Sequence, residues 1–248
     1  MTVYILEQDD RIGSLNRLSA SVGFAQMGEE VRHFTDAQMD DLPLKHGDIV
    51  VGGIGYARRA FEKLGLDVPH LDPIPQSLQG FAGRRLWTAS MGEVRKRVQS
   101  GEAIFVKPAP DQPKRFTGTV LSSFRDLIPT AHLDDALMVD CAEPVRFLVE
   151  YRCFVLHRDI LGVRPYTGDP LVFPDAQVIT SAIAAFDPAP ASYTLDMGIT
   201  DDGRTLLVEI NDAYACGAYG LPPVDYARFI AARWAEFWDA QGSAVEGQ

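Results

Sequence analysis

The 248-residue sequence contains few cysteines and no long hydrophobic run. Cys141, Cys153 and Cys216 lie far apart and form no Cys-x-x-Cys pair, which argues against a disulfide-rich domain or a cysteine zinc site and favours a reduced cytoplasmic chain. No apolar stretch approaches the roughly 20 residues of a membrane helix. The first residues also lack the basic and apolar segments of a signal peptide. We therefore expect a cytoplasmic protein with no membrane partner.

Basic residues are also scarce. Lysine and arginine total 23 against 34 aspartate and glutamate residues, so the formal net charge is -11. A protein that neutralises nucleic-acid phosphates needs a basic face, and this balance argues against such a partner. It still allows a local cationic pocket. The five histidines show no metal-ligand spacing, and no serine or cysteine lies in a recognisable nucleophile motif.

The first 75 residues alternate between strand and helix patterns. Short apolar runs predict strands over 2–6, 30–34 and 48–51. Apolar residues at helical spacing, at Leu15, Leu18, Val22 and Ala25, predict a helix over 15–28, and a second helix is expected over 56–64. Strands that alternate with helices indicate a parallel sheet with covered faces. We therefore predict a Rossmann-like α/β domain over residues 1–78, ended by a proline-rich linker.

The remainder, residues 79–248, has a more mixed α+β pattern. Asp201-Asp202-Gly203 predicts a hairpin turn between two strands, and the aromatic stripe over 224–240 predicts a helix packed on the core. The other expected elements are strands over 86–88, 103–107, 118–124, 136–139, 146–156 and 159–163 and helices over 91–99 and 176–186. We place a division of this part into two lobes at residues 79–140 and 141–248.

Two basic features follow one another near residue 110. Lys107 ends the apolar run Phe105–Lys107, and Lys114 begins a basic, glycine-ended loop over 114–118. In an acidic chain, cations on both sides of a loop favour an anion such as a phosphate tail. The alternatives are a lysine that extends from a sheet edge into solvent and a solvated surface loop.

Polar residues also lie at alternate positions of two later strands. Glu150 and Arg152 share one strand face, where they can pair with each other or be joined by Arg164 from the next apolar run. Glu209 and Asn211 share a face of the hairpin, and its turn can bring Asp196 opposite them. Two carboxylates and an amide oxygen suit magnesium, although acidic residues of a solvated hairpin would look similar.

The order of these motifs resembles the ATP-grasp superfamily, most closely its compact clade named for two arginines and a lysine. The resemblance covers roughly residues 80 to 240, and the N-terminal part is similar to the Rossmann-like domain that precedes many such modules. It implies a two-lobed ATP-grasp domain. The lysine that many members carry before the Lys107 strand is not evident, and Arg84 or Arg85 could replace it.

The resemblance also implies roles for individual residues. ATP phosphates would contact Lys107 and Lys114, and ribose would contact Glu150, with Glu143 as a substitute. Residues 139–142 would form the hinge and offer backbone groups to adenine. Arg152 would face the γ-phosphate or the acyl substrate. The implied set is catalytic Arg152, Lys114 and Arg164; nucleotide-binding Lys107, Lys114, Asp140, Cys141, Ala142, Glu143 and Glu150; and magnesium-binding Asp196, Glu209 and Asn211.

The implied activity is an ATP-dependent carboxylate–amine ligase that uses magnesium and an acyl-phosphate intermediate. Its substrates would be a small-molecule or peptide carboxylate and an amine. Residues 109–119 would form a lid, and the protein could be a homodimer. Residues 52–55 and 214–220 are candidates for lining the acceptor pocket. Two alternatives remain: a nucleotide-binding regulatory module with little ligase activity, and a small-molecule kinase on the same scaffold.

Overall fold

The computed structural model describes residues 1–7, 11–109 and 116–246, without the side chains of 11–14 and 242–246. Its helices and strands form an α/β fold, as the sequence predicts. The strands are arranged in three sheets. The first sheet contains only parallel pairs, in the order β2-β1-β3. Its elements are β1 (Thr2–Leu6), α1 (Arg11–Gln26), β2 (Glu30–Phe34), β3 (Ile49–Val51) and α2 (Ile54–Leu64).

The second sheet has only antiparallel pairs, in the order β4-β7-β5-β6. The helix after β4 begins at a capping box, in which the Ser90 side chain accepts from the Glu93 N–H and Glu93 bonds back to the Ser90 N–H. The elements are α3 (Gln79–Ala82), β4 (Leu86–Ser90), α4 (Met91–Gln99), β5 (Ile104–Pro108), β6 (Thr119–Leu121), α5 (Phe124–Leu127) and β7 (Met138–Ala142).

The third sheet is also antiparallel, in the order β11-β10-β8-β9. The predicted hairpin turn joins the two strands that come last in the sequence. Its Gly203 has a φ of 83°, a conformation that residues with a side chain rarely adopt. The elements are β8 (Phe147–Leu156), β9 (Asp159–Gly168), α6 (Ala176–Ala185), β10 (Ser192–Thr200), β11 (Thr205–Asp212) and α7 (Pro223–Glu246). Every residue of β10 is buried, so this strand is the centre of the C-terminal part.

The connection between the second and third sheets starts later than the predicted lobe boundary. Cys141 and Ala142 are the last residues of β7, where they pair with both β4 and β5. The link to β8 is therefore formed by residues 143–146. A central strand uses its backbone groups within the sheet, so residues 139–142 of the predicted hinge pair with β4 and β5.

Helix α7 connects the end of the chain to its beginning. Its aromatic stripe, including Trp234 and Phe237, packs in one core with β1, β2 and β3, which confirms the packing role predicted for it. Arg233 anchors the same helix to β11 through two hydrogen bonds of 2.8 and 2.7 Å to the Asp212 carboxylate. Among the described residues, no helix combines the length and the apolar composition that a membrane span requires.

Helix α1 is present, but the residues that predicted it lie on its outer side. Leu15, Leu18 and Val22 are 67%, 60% and 37% exposed, and Ala25 is exposed as well. The buried side consists of Arg17, Ala20, Gly23 and Phe24. Gly23 permits close contact with α7, because a Cβ built there would lie 1.9 Å from the carbonyl oxygen of Pro223.

We expect Gly23→Ala to destabilise the protein, because the new methyl group overlaps backbone rather than a movable side chain. Overpacking of this kind typically costs about 1–3 kcal/mol, which corresponds to a fall in Tm of about 3–10 °C for a chain of this size. The matched control is Gly55→Ala in α2, where a Cβ meets nothing within 4 Å. Thermal unfolding followed by circular dichroism measures both; equal Tm values would contradict the close α1–α7 contact.

Candidate functional site

A cavity of 590 Å³ lies between the second and third sheets. The predicted residues Lys107, Glu143, Glu150 and Glu209 line it, together with Asp140, Cys141 and Ala142 of β7. Its apolar wall includes Trp87, Phe105, Val145, Phe147 and Val208. The cavity thus combines an apolar section with a charged section, which is the composition of a site for a ligand with one aromatic and one anionic part.

Lys107 lies near the end of β5, in register with Asp140 of β7. Its Nζ is 3.6 Å from Oε2 of Glu209 on the opposite sheet, and both side chains are partly exposed to the cavity. A pair with this separation and exposure is weak. An anionic ligand can therefore replace Glu209 as the partner of the lysine at little cost.

Glu150 is held by a tyrosine that the sequence reasoning missed. The Tyr166 hydroxyl donates a hydrogen bond of 2.5 Å to Oε2 of Glu150. Tyr166 lies in β9 where the register with β8 shifts, since Glu150 faces Thr167 and Tyr151 faces Pro165. The pattern was missed because the strand was predicted to end at residue 163, whereas β9 extends to Gly168.

Tyr166 remains a neutral donor in this position. Burial raises the pKa of Tyr166 well above its usual value, and the charges of Asp196 and Glu150 raise it further. The hydroxyl therefore keeps its proton and can hold one oxygen of the Glu150 carboxylate. Within the described residues no side chain bonds the other carboxylate oxygen, Oε1, so this oxygen can accept hydrogen bonds from a ligand.

Arg152 forms a buried ion pair with Asp196 across β8 and β10. Its Nε and a terminal nitrogen donate to the two Asp196 oxygens at 2.8 and 2.5 Å. Burial alone would lower the pKa of Arg152, but the hydrogen bonds and charge of Asp196 outweigh burial and raise it. The guanidinium also lies 4.6 Å from the ring centre of Tyr219 and 5.5 Å from that of Tyr166. Arg152 is therefore a permanently charged group in a fixed orientation, paired with Asp196 rather than with Glu150.

Arg164 lies directly opposite Arg152 in the β8–β9 register. Its Nε is buried and has no hydrogen-bond partner in the described part of the chain. Two neighbouring guanidinium groups repel each other unless an anion lies between or beside them. Asp196 is such an anion beside Arg152, whereas Arg164 Nε has no hydrogen-bond partner among the described residues.

The three residues predicted to bind magnesium are neighbours, but they are not equivalent. Asp196 faces Glu209 in register, and the Asn211 amide nitrogen donates to Asp196 Oδ2 at 3.1 Å. Both Asp196 oxygens are engaged by Arg152, whereas Glu209 is open to the cavity and Asn211 keeps its amide oxygen available. Within the described ranges, no group of three or more His, Cys, Asp or Glu side chains could hold a metal ion.

These donors fit a magnesium ion that arrives with phosphate oxygens. Mg²⁺ is usually bound through one or two protein oxygens plus substrate phosphates and water, rather than by a complete protein cage. Glu209 lines the cavity and can supply one such oxygen, and Asn211, two residues further along β11, can supply a second. Asp196 would take part only if Arg152 released one of its oxygens.

Two further predicted features concern the lid and the missing upstream lysine. Lys114 and most of the predicted lid fall in 110–115, outside the described residues. Of the two candidates for the missing upstream lysine, Arg84 lines the cavity but donates to the carbonyls of Ala82, Leu207 and Val208. Arg85 instead pairs with Glu143 at 3.5 Å. Arg84 is therefore the cation nearer the cavity, and it fastens the first lobe to β11.

Comparison with solved structures shows similarity over nearly the whole chain. D-alanine–D-alanine ligase from Bacillus anthracis complexed with ATP matches with a TM-score of 0.62 and 12% identity, covering 98% of this chain and 99% of that one. D-cycloserine synthetase DcsG matches at 0.59 and 12%, covering 96% and 100%. Macrocyclase MdnC from Microcystis aeruginosa MRC, bound with precursor peptide MdnA, matches at 0.52 and 15%, covering 95% and 100%. At these identities the similarity concerns the fold.

No curated protein sequence matches the chain at a significant level. A family model for the ATP-grasp domain, described as family 2 of the clade named for two arginines and a lysine, matches residues 81–229. This range includes most of the residues that line the cavity and the Arg152–Asp196 pair. Because this match spans more than half of the 248 residues, the chain belongs to this clade of the ATP-grasp superfamily.

Proposed function

We propose that the protein is an ATP-dependent carboxylate–amine ligase whose nucleotide binds between the second and third sheets. The observation that carries this proposal is the cavity of 590 Å³ that joins an apolar slot to Lys107 and Glu209. Its volume suits a nucleotide, since ligand pockets commonly measure about 300–1,000 Å³. The ATP-grasp family assignment supports the same placement.

Three groups of residues around the cavity would contact the three parts of the nucleotide. The adenine ring would pack between Trp87, Phe105 and Phe147, with residues 143–146 beside it. The ribose hydroxyls would donate to the free oxygen of Glu150, whose other oxygen is held by Tyr166. The phosphates would lie against Lys107, which exchanges its contact with Glu209 for a phosphate oxygen.

Magnesium would be held by Glu209 and Asn211 together with the phosphate oxygens. When bound, it neutralises charge on the phosphates and favours the departure of ADP. Release of Lys107 from Glu209 on nucleotide binding frees that carboxylate for this role. Lys107 would thus exchange Glu209 for a phosphate oxygen, and Glu209 would exchange Lys107 for magnesium, so that neither charge is left unpaired.

The arginine pair would bind the reacting group. In the first step, a substrate carboxylate oxygen attacks the γ-phosphorus, the new O–P bond forms and the bond to the β-phosphate oxygen breaks. In the second step, the amine nitrogen attacks the acyl carbon, phosphate leaves with the C–O electron pair, and the ammonium proton passes to phosphate or water. Arg152 and Arg164 would stabilise the negative oxygens in both steps. The hydrogen bonds from Arg152 to Asp196 support this role, because they fix the Arg152 guanidinium before the substrate arrives.

Lys107→Ala should lower kcat/KM for ATP by at least about 100-fold, because removing one positioned charge at a transferring phosphate typically costs about 3 kcal/mol or more. Lys96→Ala is the matched control, since Lys96 is exposed on α4 of the same lobe and lies outside the cavity. ADP release measures both variants, and circular dichroism checks their folding. Equal activity in the two variants would remove Lys107 from the site.

Tyr166→Phe should raise KM for ATP about 10-fold with little change in kcat, because a hydrogen bond to a charged group is worth about 1.5–3 kcal/mol. The phenyl ring keeps the packing against Arg152, so the loss is confined to the position of Glu150. Tyr219→Phe is the control, since its ring contacts Arg152 in the same way. A fall in kcat with unchanged KM would argue against a ribose contact by Glu150.

The reaction class is tested by trapping. With ATP, a panel of carboxylates and hydroxylamine in place of the amine, a ligase should give a hydroxamate together with one equivalent of ADP, because hydroxylamine attacks an acyl phosphate. A kinase would give a stable phosphorylated product and no hydroxamate. Nucleotide binding without ADP release above background, for any carboxylate and amine tested, would indicate a binding module and contradict the ligase proposal.

A further inference from the structure

The outer face of α1 carries a regular apolar seam that nothing in the described chain covers. Leu15, Leu18, Val22 and Ala25 follow the spacing three, four, three, which is the a/d pattern of a coiled coil. Leu15 and Leu18 are 67% and 60% exposed. The helix already buries its opposite face against α7 and the first sheet, so the seam is not needed for folding of the single chain.

The seam is also free of charge in a strongly acidic protein. Between Leu15 and Gln26 the one charged residue is Arg17, which is buried on the other side of the helix. The positions that flank the seam are occupied by small or neutral polar residues, Ser19, Ser21 and Gln26. Since the chain carries a net charge of -11, an uncharged face is the part of its surface where a second copy can approach without repulsion.

The side-chain sizes match an antiparallel pairing of this seam with itself. In such a pair each a position faces a d position of the partner helix, so that a two-fold axis near Ala20 brings Leu15 opposite Ala25 and Leu18 opposite Val22. Each layer then contains one large and one smaller side chain. A parallel pairing would place Leu15 on Leu15 and Ala25 on Ala25, which fills one end and leaves a gap at the other.

We propose that α1 is the dimer interface of this protein, and that two copies pack antiparallel through Leu15, Leu18, Val22 and Ala25. Among other possible occupants, a membrane surface is disfavoured because the net charge of -11 opposes approach to anionic lipid headgroups. The undescribed segment 110–115 is disfavoured because it carries Asp111, Lys114 and Arg115. The proposal does not depend on the ligase activity.

The interface is tested by mass in solution. At about 50 µM, light scattering should give twice the chain mass of 27.3 kDa for the wild type and the single chain mass for Leu18→Glu, in which two carboxylates meet near the axis. The control is Leu171→Glu, at a residue that is 79% exposed outside α1, and it should remain dimeric. A monomeric wild type, a dimeric Leu18→Glu variant, or a monomer that binds neutral lipid vesicles through α1 would overturn the proposal.

The orientation is tested by disulfide formation, since all three native cysteines are buried. Under mild oxidation, a mixture of the Leu15→Cys and Ala25→Cys variants should form a linked dimer, because these residues face each other across the axis. Leu15→Cys alone should not, because the two copies of residue 15 would lie about 15 Å apart along the helices. Linking of Leu15→Cys alone would contradict the antiparallel pairing.

Discussion

The Arg152–Asp196 ion pair is the interaction on which the arrangement of the site depends. It joins the two central strands of the third sheet, and its side chains are only 12% and 2% exposed. Removing one partner of such a pair leaves an uncompensated buried charge and typically costs about 3–5 kcal/mol. The pair therefore constrains the sheet as well as the chemistry. Asn211, Tyr166 and Tyr219 all take their positions relative to it.

The two ion pairs of this site differ in strength. Arg152 and Asp196 form a close, buried pair, whereas Lys107 and Glu209 are 3.6 Å apart and partly exposed. The first pair is built into the sheet, and the second can separate when a charged ligand enters. Arg164 has a buried nitrogen with no partner among the described residues. A gradient from fixed to exchangeable charge thus runs from β10 towards the cavity.

Much of the fold could be predicted from the sequence because its local signals agree with its packing. The strand Glu30–Phe34 and the helix Met91–Gln99 have the predicted limits, the latter because Ser90 and Glu93 form a capping box. The exposure of Leu15 and Leu18 could not be predicted, since helical spacing indicates a helix face but not what covers it.

Less of the site could be predicted from the sequence. Alternation placed Glu150 and Arg152 on one face, but their separate partners, Tyr166 and Asp196, come from strand pairing between distant segments. The predicted end of β9 at residue 163 hid Tyr166 for the same reason.

The shared core of the first sheet and α7 has a consequence for synthesis of the chain. The apolar strands β1 and β3 are made well before Trp234 and Phe237, which pack in the same core. While a chain is being translated, its early segment must therefore wait for the C-terminal helix before this core is complete. Until then the apolar face is open to water, to chaperones and to neighbouring chains. The order in which the polypeptide leaves the ribosome thus delays completion of this N-terminal core until α7 has been made.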